Sequence, residues 1–244
     1  MILLLRHLHR FYVIVVILFF FALFYPFYWL ASRKPSGYFF LNHLRTANSW
    51  CSSVFSGIYF RFHYESPLQN DQAYVFAANH SSNLDIMLFC QLAKGAYSFL
   101  GKVELLKNPV LKLFFQTIDI PLDRASKMSA FRAFKRAGEQ LNAGRSLIIF
   151  PEGGISGANY PPTLEPFKNG PFRMAIETGT PIVAVSISDA WKLMWDDGAK
   201  YGTRPGICDI YVHSPIVTEN MSADDAEKLK ERIFELIKHK IVQK

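Results

Sequence analysis

Positions 11–30 form a run of twenty residues without a charged side chain, which as a helix spans about 30 Å and matches a bilayer core. Arg6 and Arg10 precede it and Arg33 and Lys34 follow it, so the flanking charges give no orientation, and spanning the bilayer and dipping into it both stay open. Pro26 is expected to kink or end this helix, with Tyr25, Tyr28 and Trp29 around it as an interfacial belt. Cleavage as a signal peptide is disfavoured, because Phe27-Tyr28-Trp29-Leu30 offers no small-x-small site. Residues 36–64 read as a second, amphipathic arm. Phe39, Phe40, Leu44, Trp50, Val54, Phe55 and Ile58 are its apolar side, and His43, Arg45, Asn48 and Ser52 its polar one. Such a helix either lies among lipid headgroups or packs on a globular domain.

Beyond the arm, short apolar runs alternate with helical periodicity. Strands are expected at 59–64, 74–78, 97–100, 117–121, 146–150, 182–187 and 207–213, and helices at 84–93, 103–115, 127–142, 170–178 and 223–242. Alternation of this kind specifies an α/β fold, a mixed sheet of about seven strands flanked by helices. The expected division is an N-terminal membrane-associated helical arm at 1–58 and an α/β domain at 59–244.

The chain has 244 residues, half of them hydrophobic, enough for one such domain with a full core. Its net charge of +7 is unevenly placed: residues 1–64 carry six Lys or Arg and no acid. The basic character therefore belongs to the arm, where each residue near an anionic leaflet contributes on the order of 1 kcal/mol, and no nucleic-acid partner is expected. Cys51, Cys90 and Cys208 lack metal-ligand spacing and suit a reducing compartment, so neither a metal site nor a disulfide framework is indicated.

Three stretches carry candidate chemistry. Asn79-His80-Ser81-Ser82-Asn83-Leu84-Asp85 places a histidine on a strand-to-helix turn, with a carboxylate four intervening residues later. An imidazole so held can take a proton from an alcohol near neutral pH. Leu147-Ile148-Ile149-Phe150-Pro151-Glu152-Gly153-Gly154 is a strand that breaks at an acid and two glycines, where backbone N–H groups can approach a ligand. Gly101-Lys102 and, about twenty residues later, Asp123-Arg124 supply cations. Gly154-Ile155-Ser156-Gly157 is one residue short of a nucleophile elbow, so an acyl-serine intermediate is not supported.

In this order and spacing the stretches resemble the glycerolipid acyltransferase superfamily, which includes the 1-acylglycerol-3-phosphate acyltransferases, over roughly residues 59–217. The resemblance implies His80 as general base oriented by Asp85, with Asn79, Glu152, Gly153 and Gly154 at the acceptor and Lys102 and Arg124 as contacts to its phosphate. It implies an acyl-CoA or acyl-carrier-protein donor, a lysolipid acceptor, membrane lipids as surroundings, a site on the cytoplasmic face, and no cofactor. Thr180 to Val185 is similar to the last family block, with Ala184 where a proline is common. One departure bears on substrate: Ile155 stands where the family commonly places a phosphate-binding arginine, so either Lys102, Arg124, Lys168 or Arg173 reads a phosphate or the acceptor is a lysolipid without one, such as an amino-acid-headed lipid. Hydrolysis of the thioester by the same dyad is a further alternative.

Overall fold

The computed structural model describes residues 1–242. The chain opens with helix α1 (Ile2–Ala31), long and apolar enough by length and composition to cross a membrane, and helix α2 (Tyr38–Phe55). Helix α1 does not stop at Pro26; it runs on to Ala31, held by packing in which Tyr28 is buried against α2 and Phe114. Its buried stripe, Val13, Val16, Phe20, Tyr28 and Ala31, starts at Val13 and runs to the end of the helix, and the other faces carry exposed Leu, Ile, Phe and Tyr.

Helix α2 is inverted relative to a soluble surface helix. Asn42, Arg45, Ser49, Ser52 and Ser53 point inward, while Phe39, Phe40, Trp50, Val54 and Phe55 are exposed. The inward polar groups are paired: Ser49 donates to Met87 O at 2.7 Å, Asn42 to Tyr97 O at 3.0 Å, and Thr46 to Cys90 O at 2.7 Å. Arg45, read from sequence as part of a polar face, is buried against Asp119 instead.

The α/β part follows as β1 (Ile58–Tyr64), β2 (Val75–Ala78), α3 (Leu84–Leu92), β3 (Tyr97–Lys102), α4 (Lys112–Gln116), β4 (Ile120–Leu122), α5 (Lys127–Asn142), β5 (Ser146–Ile149), α6 (Gly170–Glu177), β6 (Ile182–Ile187), α7 (Ala190–Leu193), β7 (Gly206–Val212) and α8 (Ala226–Val242). Seven strands form one sheet in the order β1-β7-β6-β2-β5-β3-β4, parallel except where β7 meets β6. Two predicted elements differ. The helix expected at 103–115 is a 3-10 turn (Val103–Lys107) followed by the short α4, because Asn108-Pro109 breaks it: Asn108 Oδ1 accepts the N–H groups of Val110 and Leu111. The strand expected at 117–121 is shorter and starts later, at Ile120–Leu122, since Asp119 turns its carboxylate to Arg45 and Phe99 N.

The pleat divides the core. Phe76, Ala78, Ile148, Val183 and Val185 face α3, whereas Val75, Ala77, Leu147, Ile149 and Ile182 face α5, α6 and α8. Strands β2, β5 and β6 are buried on both faces, as central strands of a covered sheet are, and their carboxyl ends open on one rim.

Candidate active site

His80 leaves the end of β2 and Asp85 lies in the first turn of α3, so one tight turn brings them together. His80 Nδ1 lies 2.8 Å from Asp85 Oδ2. The same oxygen accepts the N–H groups of Ser81 at 3.0 Å and Ser82 at 3.1 Å, which fixes the fully buried carboxylate. A carboxylate only accepts, so Nδ1 is the donor of this bond, and in the neutral imidazole the lone pair is then on Nε2. The ring stacks on Phe150 at a centroid distance of 3.9 Å and 15°, a second restraint supplied by the end of β5.

Two residues expected at the acceptor are engaged with backbone. Asn79 donates to Ile187 O at 2.9 Å and accepts from Ile187 N at 2.8 Å, extending the β2–β6 pairing beyond the strands. Its place is to aim the turn, because both ends of the amide are used. Glu152 takes His80 N–H on Oε1 at 2.6 Å and Glu165 N–H on Oε2 at 2.8 Å, closing the loop after β5 onto the histidine turn. Burial raises its pKa to about 7, against the lowering effect of those two backbone donors.

Of the candidate cations, Lys102, Arg124 and Lys168 come together. A Cβ on Gly153 would lie 2.9 Å from Arg124 Nη1 and 2.9 Å from Lys168 Nζ, and one on Gly154 would lie 2.8 Å from Lys102 Nζ. Gly153 also has φ +91°, which glycine alone adopts freely, so the backbone there is bare for both steric and conformational reasons. Burial lowers the Arg124 pKa from its ordinary value. Lys102, Arg124, Gly153, Gly154 and Ile155 line a cavity of about 280 Å³ with His80 at one side, which continues into an apolar recess of Phe99, Leu105 and Phe115.

Asp196 was not singled out from the sequence, where Asp196-Asp197-Gly198 resembles an ordinary polar turn. It lines the same cavity at φ 52°, an uncommon conformation for a non-glycine residue. Its backbone clips the histidine turn, accepting from Asn83 N at 2.9 Å and donating to Ser81 O at 3.0 Å. Burial, then Asp197, raises its carboxyl pKa. Helix α1 reaches this loop as well: Arg6 O accepts from Thr203 N at 3.0 Å, and Arg10 Nε donates to Asp197 O at 3.0 Å.

The sequence matches the family described as Acyltransferase over residues 59–188. A 1-acyl-sn-glycerol-3-phosphate acyltransferase of Brassica napus chloroplasts is 31% identical over 60% of this chain and 42% of its own length. One of Saccharomyces cerevisiae is 30% identical over 68% of this chain and 55% of its own, so the chain spans about half the length of these relatives. The crystal structure of the 1-acyl-sn-glycerophosphate acyltransferase PlsC from Thermotoga maritima superposes with a TM-score of 0.77 at 22% identity, over 98% of this chain and 95% of that one, and so shares the fold.

Proposed function

Because the chain belongs to the acyltransferase family, we propose that it moves a fatty acyl group from an acyl-CoA or acyl-carrier-protein thioester to the hydroxyl of a lysolipid in phospholipid synthesis, 1-acylglycerol-3-phosphate being the first choice of acceptor. The observation that carries this reading is the Asp85-held His80 beside a cavity lined by Lys102 and Arg124, with Lys168 next to Arg124 over Gly153.

His80 Nε2 accepts the proton of the acceptor hydroxyl as its oxygen bonds to the thioester carbonyl carbon. Asp85 steadies the imidazolium that results. The tetrahedral intermediate collapses with cleavage of the C–S bond, and the proton passes from His80 to the departing thiolate. A thioester is already activated, so this route uses no metal or cofactor. Cations over Gly153 and Gly154 hold the acceptor phosphate.

The arm, residues 1–58, is proposed to hold residues 59–244 on a membrane. A helix that packs along the domain by one stripe and exposes apolar side chains on the others favours dipping into one leaflet, on the cytoplasmic side, over spanning. Exposed Phe39, Phe40, Trp50 and Phe55 on α2 continue the same surface.

A second reading is supported by Ile155 and Asp196: with an apolar residue at the usual arginine position and a carboxylate in the cavity, an acceptor with an ammonium headgroup also finds a partner. The test is to supply the purified protein with radiolabelled acyl-CoA and either lysophosphatidic acid, an amino-acid-headed lysolipid or no acceptor. Faster labelling of phosphatidic acid supports the first reading, labelling of the aminolipid the second, and free fatty acid without a lipid product would establish a thioesterase.

A further inference from the structure

The turn that carries His80 is not part of a helix or strand, so its shape depends on what grips it. Glu152 takes the His80 N–H, and Asn79 ties the entry of the turn to the end of β6. Its middle is gripped by the segment between α7 and β7: Asp196 accepts Asn83 N–H, donates to Ser81 O, and pairs with Ser82 as a parallel bridge.

That segment closes on itself and then rests on α1. Gly198 N–H donates to Trp195 O at 2.9 Å, Gly202 N–H to Gly198 O at 2.8 Å and Arg204 N–H to Leu193 O at 2.9 Å. Toward the helix, Thr203 N–H donates to Arg6 O and Arg10 Nε to Asp197 O, each at 3.0 Å. Gly202, at φ +68°, comes so near that an added Cβ would stand 2.5 Å from the Arg6 carbonyl carbon. Segment and helix therefore meet backbone to backbone, which only glycine at 202 permits.

His9 completes the fastening. Its Nε2 lies 3.0 Å from Ser56 O, and a carbonyl only accepts, so Nε2 is the donor. In the neutral ring Nδ1 then accepts the hydroxyl of Thr203, which is buried. One imidazole thus joins α1, the end of α2 and the segment that grips the catalytic turn.

We infer that Arg6, His9 and Arg10 of α1 are positioning residues for His80, acting through the segment 196–203. A general base works only within hydrogen-bond reach of the proton it takes, and a misplacement of about 1 Å can cost on the order of 10²-fold in rate. The first turns of α1 then support catalysis as well as attachment to a membrane. The catalytic consequence rests on the acyltransferase reading, whereas the chain of hydrogen bonds from α1 to the His80 turn does not.

His9→Ala and Thr203→Val cut the same bond and leave every Lys and Arg of the arm in place. The assay uses full-length protein in detergent with a short-chain lysophosphatidic acid dissolved as monomer, so that membrane binding does not enter. Each variant is expected to lower kcat about ten- to a hundredfold with KM unchanged. The double variant should fall no further than either single one, because the two residues act as a unit. Nuclear magnetic resonance supplies a readout that needs no turnover: the His80 Nδ1 proton, identified by its loss in His80→Ala, should exchange with water faster in both variants than in the wild type. Should the buried substitutions fail to fold, Arg10→Met at a half-exposed position tests the same path and should lower kcat, at unchanged KM, to a smaller degree. Unchanged kcat in the folded variants would overturn the inference. A raised KM at unchanged kcat would overturn it too and give the segment to the acceptor site. If the wild type transfers no acyl group, the acyltransferase reading fails and proton exchange decides: faster exchange in the variants keeps the positioning role, and equal exchange removes it.

Discussion

Arg45 on α2 grips Asp119 with both guanidinium nitrogens, Nη1 to Oδ1 and Nη2 to Oδ2, each at 3.1 Å, and both residues are buried. The guanidinium also lies about 5 Å over the rings of Tyr97, Phe99 and Phe114, and Asp119 accepts Phe99 N–H at 3.0 Å. The arm is therefore fastened to the edge of the sheet that carries Lys102. Arg45→Met leaves Asp119 buried and uncompensated, and is expected to lower unfolding stability by about 3 to 5 kcal/mol. Adding Asp119→Asn should recover part of that loss. Denaturant unfolding in detergent, comparing the single and double variants, checks both.

The apolar outer surface of the arm makes a different prediction for membrane binding. Removing residues 1–35 takes away α1 but leaves Phe39, Phe40, Trp50 and Phe55 exposed on α2. The truncated chain should still sediment with membranes after a high-salt wash, because salt screens the basic contacts and not apolar burial. Recovery in the soluble fraction after the wash would place the anchor in α1 alone.

Legibility from sequence followed the range of the forces involved. Strands with a two-residue pleat and the His80–Asp85 turn are local, so spacing sufficed; Lys102 and Arg124 followed from matching ordered blocks to a family, whereas Lys168 could not be told from Arg173 until the fold placed it over Gly153. What was missed is long-range or inverted. No local pattern announces that Arg45 meets a carboxylate 74 residues away. Most of the apolar residues of α2 were divided from the polar ones, although Leu44 is buried with the polar set and His43 exposed beside Phe39; which side faces the protein depends on a surrounding that sequence periodicity does not encode. Asp196 gains meaning only when a distant loop is brought to the histidine turn.

His80→Ala should lower acyl transfer by about 10²- to 10⁴-fold, the usual worth of a general base. Thermal melting should change little, since the ring is held at its rim position by Phe150 and Asp85 and is not a core packing group. Asp85→Asn should lose a comparable rate and also stability, because the buried oxygen that accepts from His80, Ser81 and Ser82 is no longer charged. Product formation and melting on the same preparations separate the two effects.

Glu152 gives a pH signature. Its folded-state pKa is raised to about 7 from 4.5, so the folded protein holds that proton more tightly than the unfolded chain. Stability from protonation is full below about 4.5 and is lost as pH rises through 7, a change on the order of 3 kcal/mol at about 1.36 kcal/mol per pH unit. Glu152→Gln lacks this proton. The wild-type melting temperature should therefore fall more between pH 5 and pH 8 than that of the variant; parallel curves would remove Glu152 as the titrating group.

The cation crown over Gly153 and Gly154 yields the last prediction, which separates phosphate recognition from catalysis. Gly153→Ala puts a methyl 2.9 Å from both Arg124 Nη1 and Lys168 Nζ at a backbone angle that disfavours any side chain, so the cations must move apart. Arg124→Ala instead removes a bidentate phosphate partner and leaves the backbone alone. Both should raise the Michaelis constant for lysophosphatidic acid, Arg124→Ala by a factor equivalent to about 1.5 to 3 kcal/mol for a lost hydrogen bond to a charged group. Neither should alter the rate with a phosphate-free lysolipid to the same degree. Equal losses on both acceptors would mean that the crown shapes the loop next to His80 and does not read a phosphate, and Ile155 would then mark a site built for another headgroup.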